Sequence, residues 1–130
     1  MPVPAPFGAL IFVKDLPRMA QFYADLLSLR EVLADADHTV LESAHGQLVV
    51  HRIPQTIAET FTIEIPPLVR EETPIKLFFA ISSLAQARAA APALGGSVQD
   101  ESREWKLGRF TVCDAVDPEG NVLQLRQAQA

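Results

Sequence analysis

Apolar positions run along this chain in one rhythm, change to another, and then repeat the change. The run Phe7–Val13 (FGALIFV) is nearly all apolar and predicts a strand. After it, Leu16, Met19, Ala20, Tyr23, Leu26 and Leu27 recur at three- and four-residue spacing. That spacing lays one apolar stripe along a helix of about three turns. Asp15 supplies a side-chain cap, and Pro17 suits the first turn because its missing N–H would have no partner there. Short strands are expected at 30–34, 39–42 and 47–53, parted by polar turns at 35–38 and 43–46, so the first unit reads βαβββ.

The stretch 54–74 holds Pro54, Pro66, Pro67 and Pro74 with an acidic pair at Glu71 and Glu72, and predicts a connector without regular structure. Within it, 61–65 (FTIEI) alternates and suggests an edge strand or a segment lying over a partner subunit. The pattern then restarts. A strand at 75–81 (IKLFFAI) leads to Ser83-Leu-Ala-Gln86, a capping-box spacing opening an alanine-rich helix that ends at Gly95-Gly96 and is shortened by Pro92. A weaker strand near 98–101, a loop carrying Arg103, Trp105 and Gly108, a strand at Phe110–Val116, a turn at 117–121 and a strand at 122–126 follow. Laying Asp15-Leu16 on Ser83-Leu84 also lays Phe7–Val13 on 75–81, which points to an internal duplication. The expectation is one α+β domain over residues 1–130, built of two tandem βαβββ modules at about 7–53 and 75–126.

Composition narrows the partners. With 130 residues, 48% of them hydrophobic, the chain can bury a real core. A net charge of −5 with scattered Lys and Arg leaves no basic surface for nucleic acid. The apolar runs are too short to span a bilayer, and residues 1–6 show no basic region followed by an apolar one, so no membrane partner and a cytoplasmic location are expected. Cys113 is the one cysteine; in an apolar β-rich run it reads as a buried structural thiol, and no cysteine metal cluster can form.

Three segments together carry a resemblance: 13–27 (VKDLPRMAQFYADLL), the helix end ALGG at 93–96, and 117–125 (DPEGNVLQL). The chain resembles the vicinal oxygen chelate superfamily, which includes glyoxalase I, bleomycin-resistance proteins and extradiol dioxygenases. The likeness spans about 7–126 and implies a curved mixed sheet forming a cup between the modules. The D-P-x-G-N turn has its own physical explanation: Pro118 presets its φ, Gly120 accepts positive φ, and Asp117 can bond amides two residues on. No catalytic role is assigned to Asp117 or Glu119.

In metal-dependent members, the resemblance implies, His, Glu or Gln side chains from the first and last strands of each half hold a divalent cation. The matching positions here are Gly8, His51, Lys76 and Gln124. Glycine has no donor atom and an ammonium cannot ligate, so no bound metal and no other cofactor are expected. Strand alternation turns Ala9, Ile11 and Val13, with Leu77, Phe79 and Ile81, toward the helices. The other face then carries Leu10, Phe12, Val49, His51, Lys76, Phe78, Gln124 and Arg126, a mixture suited to a small-molecule pocket.

Lys76 reads either as a contact for an anionic ligand and a catalytic amine, or as a lysine exposed at the strand edge or paired to a carboxylate. His51 reads as a general base or a structural histidine, and Trp105 as a lid over the ligand or a cap on the rim. His38 and His45 fall in turn sequences and are expected in solvent. The expected protein binds a small, anionic organic molecule through Phe12, His51, Lys76, Phe78, Trp105, Gln124 and Arg126, as a homodimer. The alternatives are a metal-dependent lyase, isomerase or dioxygenase of the glyoxalase type, and a drug-sequestering binding protein.

Overall fold

Asp15 ends the first strand and begins the first helix. Its backbone is extended, with φ −108°, and its carboxylate accepts the Arg18 N–H at 3.2 Å, with Pro17 in the first turn. The structure, a computed structural model, describes residues 5–129; the first four residues of the 1–6 stretch read above for an export signal lie outside them. β1 (Phe7–Val13) therefore passes directly into α1 (Leu16–Leu27). The six stripe residues are buried as their spacing predicts, and so is Phe22, which meets Tyr23 edge to face at 5.1 Å. The buried arc of α1 is thus wider than one stripe.

Two compact units divide the chain, one ending at Thr62 and the other beginning at Ile63. In the first, β2 (Arg30–Ala34), β3 (His38–Glu42) and β4 (Gly46–Arg52) join β1 in a sheet ordered β1-β4-β3-β2. β1 runs parallel to β4, and the other pairs are antiparallel. Leu41, Leu48 and Val50 are buried, as are Met19, Phe22 and Tyr23 of α1. Each such side chain contributes about 1.5–3 kcal/mol by leaving water.

The connector is more ordered than its prolines suggest. A short helix α2 (Gln55–Ala58) stands where no regular structure is expected. No strand forms at 61–65. The Phe61 carbonyl that a ladder would use instead accepts from the Lys14 ammonium, which also donates to Ala58 O at 2.8 Å and lies over the Phe61 ring.

The second unit repeats the scheme with β5 (Leu77–Ile81), α3 (Leu84–Ala90), β6 (Ser97–Val98), β7 (Trp105–Leu107), β8 (Phe110–Val116) and β9 (Val122–Ala128). Its sheet runs β5-β9-β8-β6 with β7 also on β8, and β5 is again parallel to β9. Ser83 caps α3 by accepting the Gln86 N–H at 3.1 Å, and Pro92 sits in the 3-10 turn that ends the helical run. Leu123, Leu125, Cys113 and Ala115 are buried, with Leu84 and Ala87 of α3. Burial pushes the Cys113 thiol above its usual pKa against an opposing contact from Arg88, which suits the structural reading of that cysteine.

Two expectations fail in this unit. Trp105 is not in a loop; it opens β7, whose preceding residue Glu104 is held by Arg88 at 2.7 Å. Lys76 does not interrupt a strand, because β5 begins at Leu77. The parallel place beside the entry to β9 belongs to Arg70, which bridges Asn121 and donates its N–H to Gly120 O at 2.8 Å. That contact is tight at the turn. Gly120 has φ 91°, and a Cβ there would stand 2.1 Å from Leu68 O. Asp117, fully buried, accepts the N–H groups of Glu119 (2.9 Å) and Asn121 (3.0 Å) and the Asn121 amide (2.8 Å). No helix among the described residues is long and apolar enough to cross a membrane.

Candidate functional site

Alternation along the strands gives each sheet one face turned to its helices and one open face, and the sequence-predicted residues fall on the open faces. In the first unit the β3–β4 turn closes with Ser43 N–H on Gly46 O at 2.9 Å, which makes His38/His51, Val40/Val49 and Glu42/Gln47 non-hydrogen-bonded pairs. Side chains approach closest at such pairs. β1 adds Phe12 beside His51 and Leu10 beside Val49. The rings of Phe12 and His51 are 5.1 Å apart, and those of His38 and His51 meet edge to face at 4.3 Å.

His38 is therefore a strand residue whose ring packs on His51 while its side chain stays exposed to solvent, as expected. The pairing has a sequence signal that the reading above left unused: with the hairpin turn at 43–46, residues equally distant from it face one another, and 38 and 51 are such a pair. His38 Nδ1 lies 3.1 Å from Asp35 Oδ1. The amide N–H of Asp37, then the His38 side chain and amide, hold the Asp35 carboxyl below the usual carboxylate range. His51 Nδ1 lies 2.7 Å from Arg52 O, and because a carbonyl only accepts, Nδ1 carries the proton. In that tautomer Nε2 carries the lone pair.

In the second unit, cross-strand pairing sets Phe78, Gln124 and Asp114 in one row and Ala80, Arg126, Val112 and Trp105 in the next. Lys76 reaches Asp114 from outside β5, with Nζ 2.9 Å from Oδ2. Of the readings open for Lys76, the paired and exposed lysine is the one the coordinates show, its side chain 44% exposed. Asp114 Oδ1 is buried without a hydrogen-bond partner. Arg126 Nε donates to Gln124 Oε1 at 2.7 Å, and its guanidinium carbon stands 3.7 Å from the Phe78 ring centre. Phe12 (60%), Phe78 (58%) and Trp105 (39%) are exposed.

The donors do not match the metal set that the resemblance implies. At Gly8 a Cβ would meet Gln47 O at 3.1 Å, so the position lacks a donor and is crowded. The strand registers also shift the equivalence. Phe78 pairs with Gln124 in the second unit, whereas its counterpart Leu10 pairs with Val49 in the first; His51 corresponds to Arg126. Among the described residues, no group of three or more His, Cys, Asp or Glu side chains is placed to hold a metal ion.

Comparison with known proteins agrees with the fold. A family model described as a glyoxalase-like domain matches residues 9–126. No curated protein matches the sequence. Among solved structures, a glyoxalase/bleomycin resistance protein/dioxygenase family enzyme from Burkholderia phytofirmans PsJN superposes with a TM-score of 0.66 at 16% identity, covering 93% of this chain and 96% of that one. A glyoxalase/bleomycin resistance protein from Albidiferax ferrireducens T118 gives 0.63 at 20% identity, covering 93% and 95%. A fosfomycin resistance protein from Listeria monocytogenes, complexed with Mn(II) and a dihydroxypropylphosphonic acid, gives 0.65 at 15% identity, covering 99% and 93%. At these identities the likeness establishes the fold.

Proposed function

The chain belongs to the glyoxalase-like domain family of the vicinal oxygen chelate fold, and from that membership we infer that it binds a small, anionic organic molecule without the divalent cation of metal-dependent relatives. One observation carries the reading. The open sheet faces set large exposed apolar side chains beside a few fixed polar groups: Phe12 with His51 in one unit, Phe78 and Trp105 with Gln124 and Arg126 in the other. That is the composition of a small-molecule contact surface, where apolar area supplies affinity and a few polar groups supply orientation.

Lys76 joins this surface as the partner of Asp114, which supports a binding role over that of a catalytic amine. An enzyme of the glyoxalase type is the second reading, supported by the fixed ring of His51, whose Nε2 would serve as the general base. A drug-sequestering protein for cationic compounds fits less well, because Arg126 puts positive charge on the open face. A cytoplasmic location and a homodimer belong to the same proposal; exposed Phe7, Ile65, Leu68 and Ile75 support the dimer.

Metal analysis and thermal shift test the reading together. Protein purified without added metal is expected to hold no stoichiometric cation, to keep its melting midpoint in chelator, and to melt higher with small organic acids. A ligand at 100 times its Kd stabilises by about 2.7 kcal/mol. Tight one-to-one binding of a divalent cation overturns the metal-free reading.

A further inference from the structure

We propose that Arg126 is the residue that reads the anion, and that its ligand is a carboxylate carried on a flat, unsaturated body. The proposal rests on the small-anion reading above and adds the class of molecule.

The backbone aims the side chain. Leu123 and Leu125 are 1% and 0% exposed on the helix side of β9, so Gln124 and Arg126 project from the open face. Two contacts then fix the guanidinium: Gln124 Oε1 takes the Nε proton at 2.7 Å, and the Phe78 ring lies beneath at 3.7 Å. A guanidinium has five N–H donors, and one is spent. The Nη groups have no hydrogen-bond acceptor among the described residues, and Arg126 takes no part in an ion pair with them, unlike Lys76 with Asp114 or Arg88 with Glu104. What remains is a planar fork of donors, the geometry that matches two oxygens of one carboxylate.

Charge on the face points the same way. Asp114, across from Gln124, is the carboxylate of that row, and Lys76 neutralises it. Arg126 is left as the charge in these two rows that no ion pair meets. Exposed Phe78 adjoins the fork, and Trp105 stands on the same face two strands from Arg126, about 10 Å away at the usual strand spacing. Aromatic walls beside a fork favour a flat apolar body over a flexible aliphatic one, because rings stack without losing rotamer freedom. The guanidinium over Phe78 is also held against collapse onto its own sheet before the ligand arrives.

Trp105 is the only tryptophan of the chain, so its fluorescence reports on this face. The experiment titrates the 130-residue chain with benzoate, cinnamate, benzamide and acetate, in parallel with Arg126→Gln, Arg126→Lys and Lys76→Gln, each checked for a cooperative melt. Benzoate or cinnamate is expected to bind at least tenfold tighter than benzamide or acetate. Arg126→Gln is expected to lose at least tenfold for the aryl carboxylates and nothing for benzamide; Arg126→Lys loses several-fold because the fork is gone. Lys76→Gln leaves the Asp114 charge unmet and is expected to weaken benzoate, cinnamate and acetate by a common factor, with benzamide unchanged. Equal binding of benzoate and benzamide, or aryl carboxylate binding indifferent to both Arg126 variants, overturns this inference while small-anion binding stands. Failure of every organic acid to bind at millimolar concentration overturns both.

Discussion

Lys76 and Arg126 are both cations near one open sheet face, and their partners separate their roles. Lys76 is spent on Asp114, whereas Arg126 is braced by Gln124 and Phe78 with its outer donors free. The same logic applies to the histidines. Asp35 and Arg52 O each engage an Nδ1, so His38 and His51 are fixed in orientation before any ligand arrives. Asp35 offers a pH test of that arrangement. Its folded pKa is depressed, first by the Asp37 amide and then by His38, so its charge stabilises the fold above the ordinary Asp value of about 3.9 and the gain is lost as pH falls through the folded pKa. Asp35→Asn keeps a turn acceptor and loses the charge. Its melting midpoint is expected below that of the parent near neutrality and equal to it in strong acid; a constant gap across pH contradicts the charge argument.

Elements in this chain are set by short local signals, and their extents are set by contacts from elsewhere. Asp15 with Pro17, Ser83 with Gln86, and the D-P-E-G-N turn all act where the sequence places them. The start of β5 is different, because Arg70 occupies the edge at Gly120 and Asn121 and no pattern within 75–81 announces it. Trp105 was hidden likewise: a three-residue strand has too few positions for alternation to show, and β7 is defined by its pairing with β8. Phe22 escaped a one-stripe reading because α1 is buried over a wider arc. Of the candidate site, the facing of Phe12, His51, Phe78, Gln124 and Arg126 was legible from alternation, but the His38 pairing and the Lys76–Asp114 pair depend on register between strands. Gly120→Ala tests the tightest of these contacts. With φ 91° and Leu68 O 2.1 Å from the new carbon, it is expected to cost more than about 3 kcal/mol in urea unfolding, and a loss below 1 kcal/mol shows that the turn can rearrange.

Across the whole molecule, large apolar side chains remain in water that a 130-residue monomer has little reason to leave there. Phe7 is 81% exposed, Ile65 77% and Ile75 71%. These side chains are what supports the proposed dimer. Light scattering at about 5 and 100 μM should give twice the chain mass at the higher concentration, and a monomer at both concentrations sinks the dimer. The two units also share a plan in which the first strand pairs in parallel with the last, and they differ in the side chains that the plan presents. The common backbone is what a duplication would leave, and the two open faces carry different side chains.

Gly8 bears on how such a protein can change. Any side chain installed there sets its Cβ against the carbonyl oxygen of Gln47, its register partner in β4. A larger residue therefore needs β1 and β4 to part slightly before it can serve any ligand, so the sheet itself limits what this position can become.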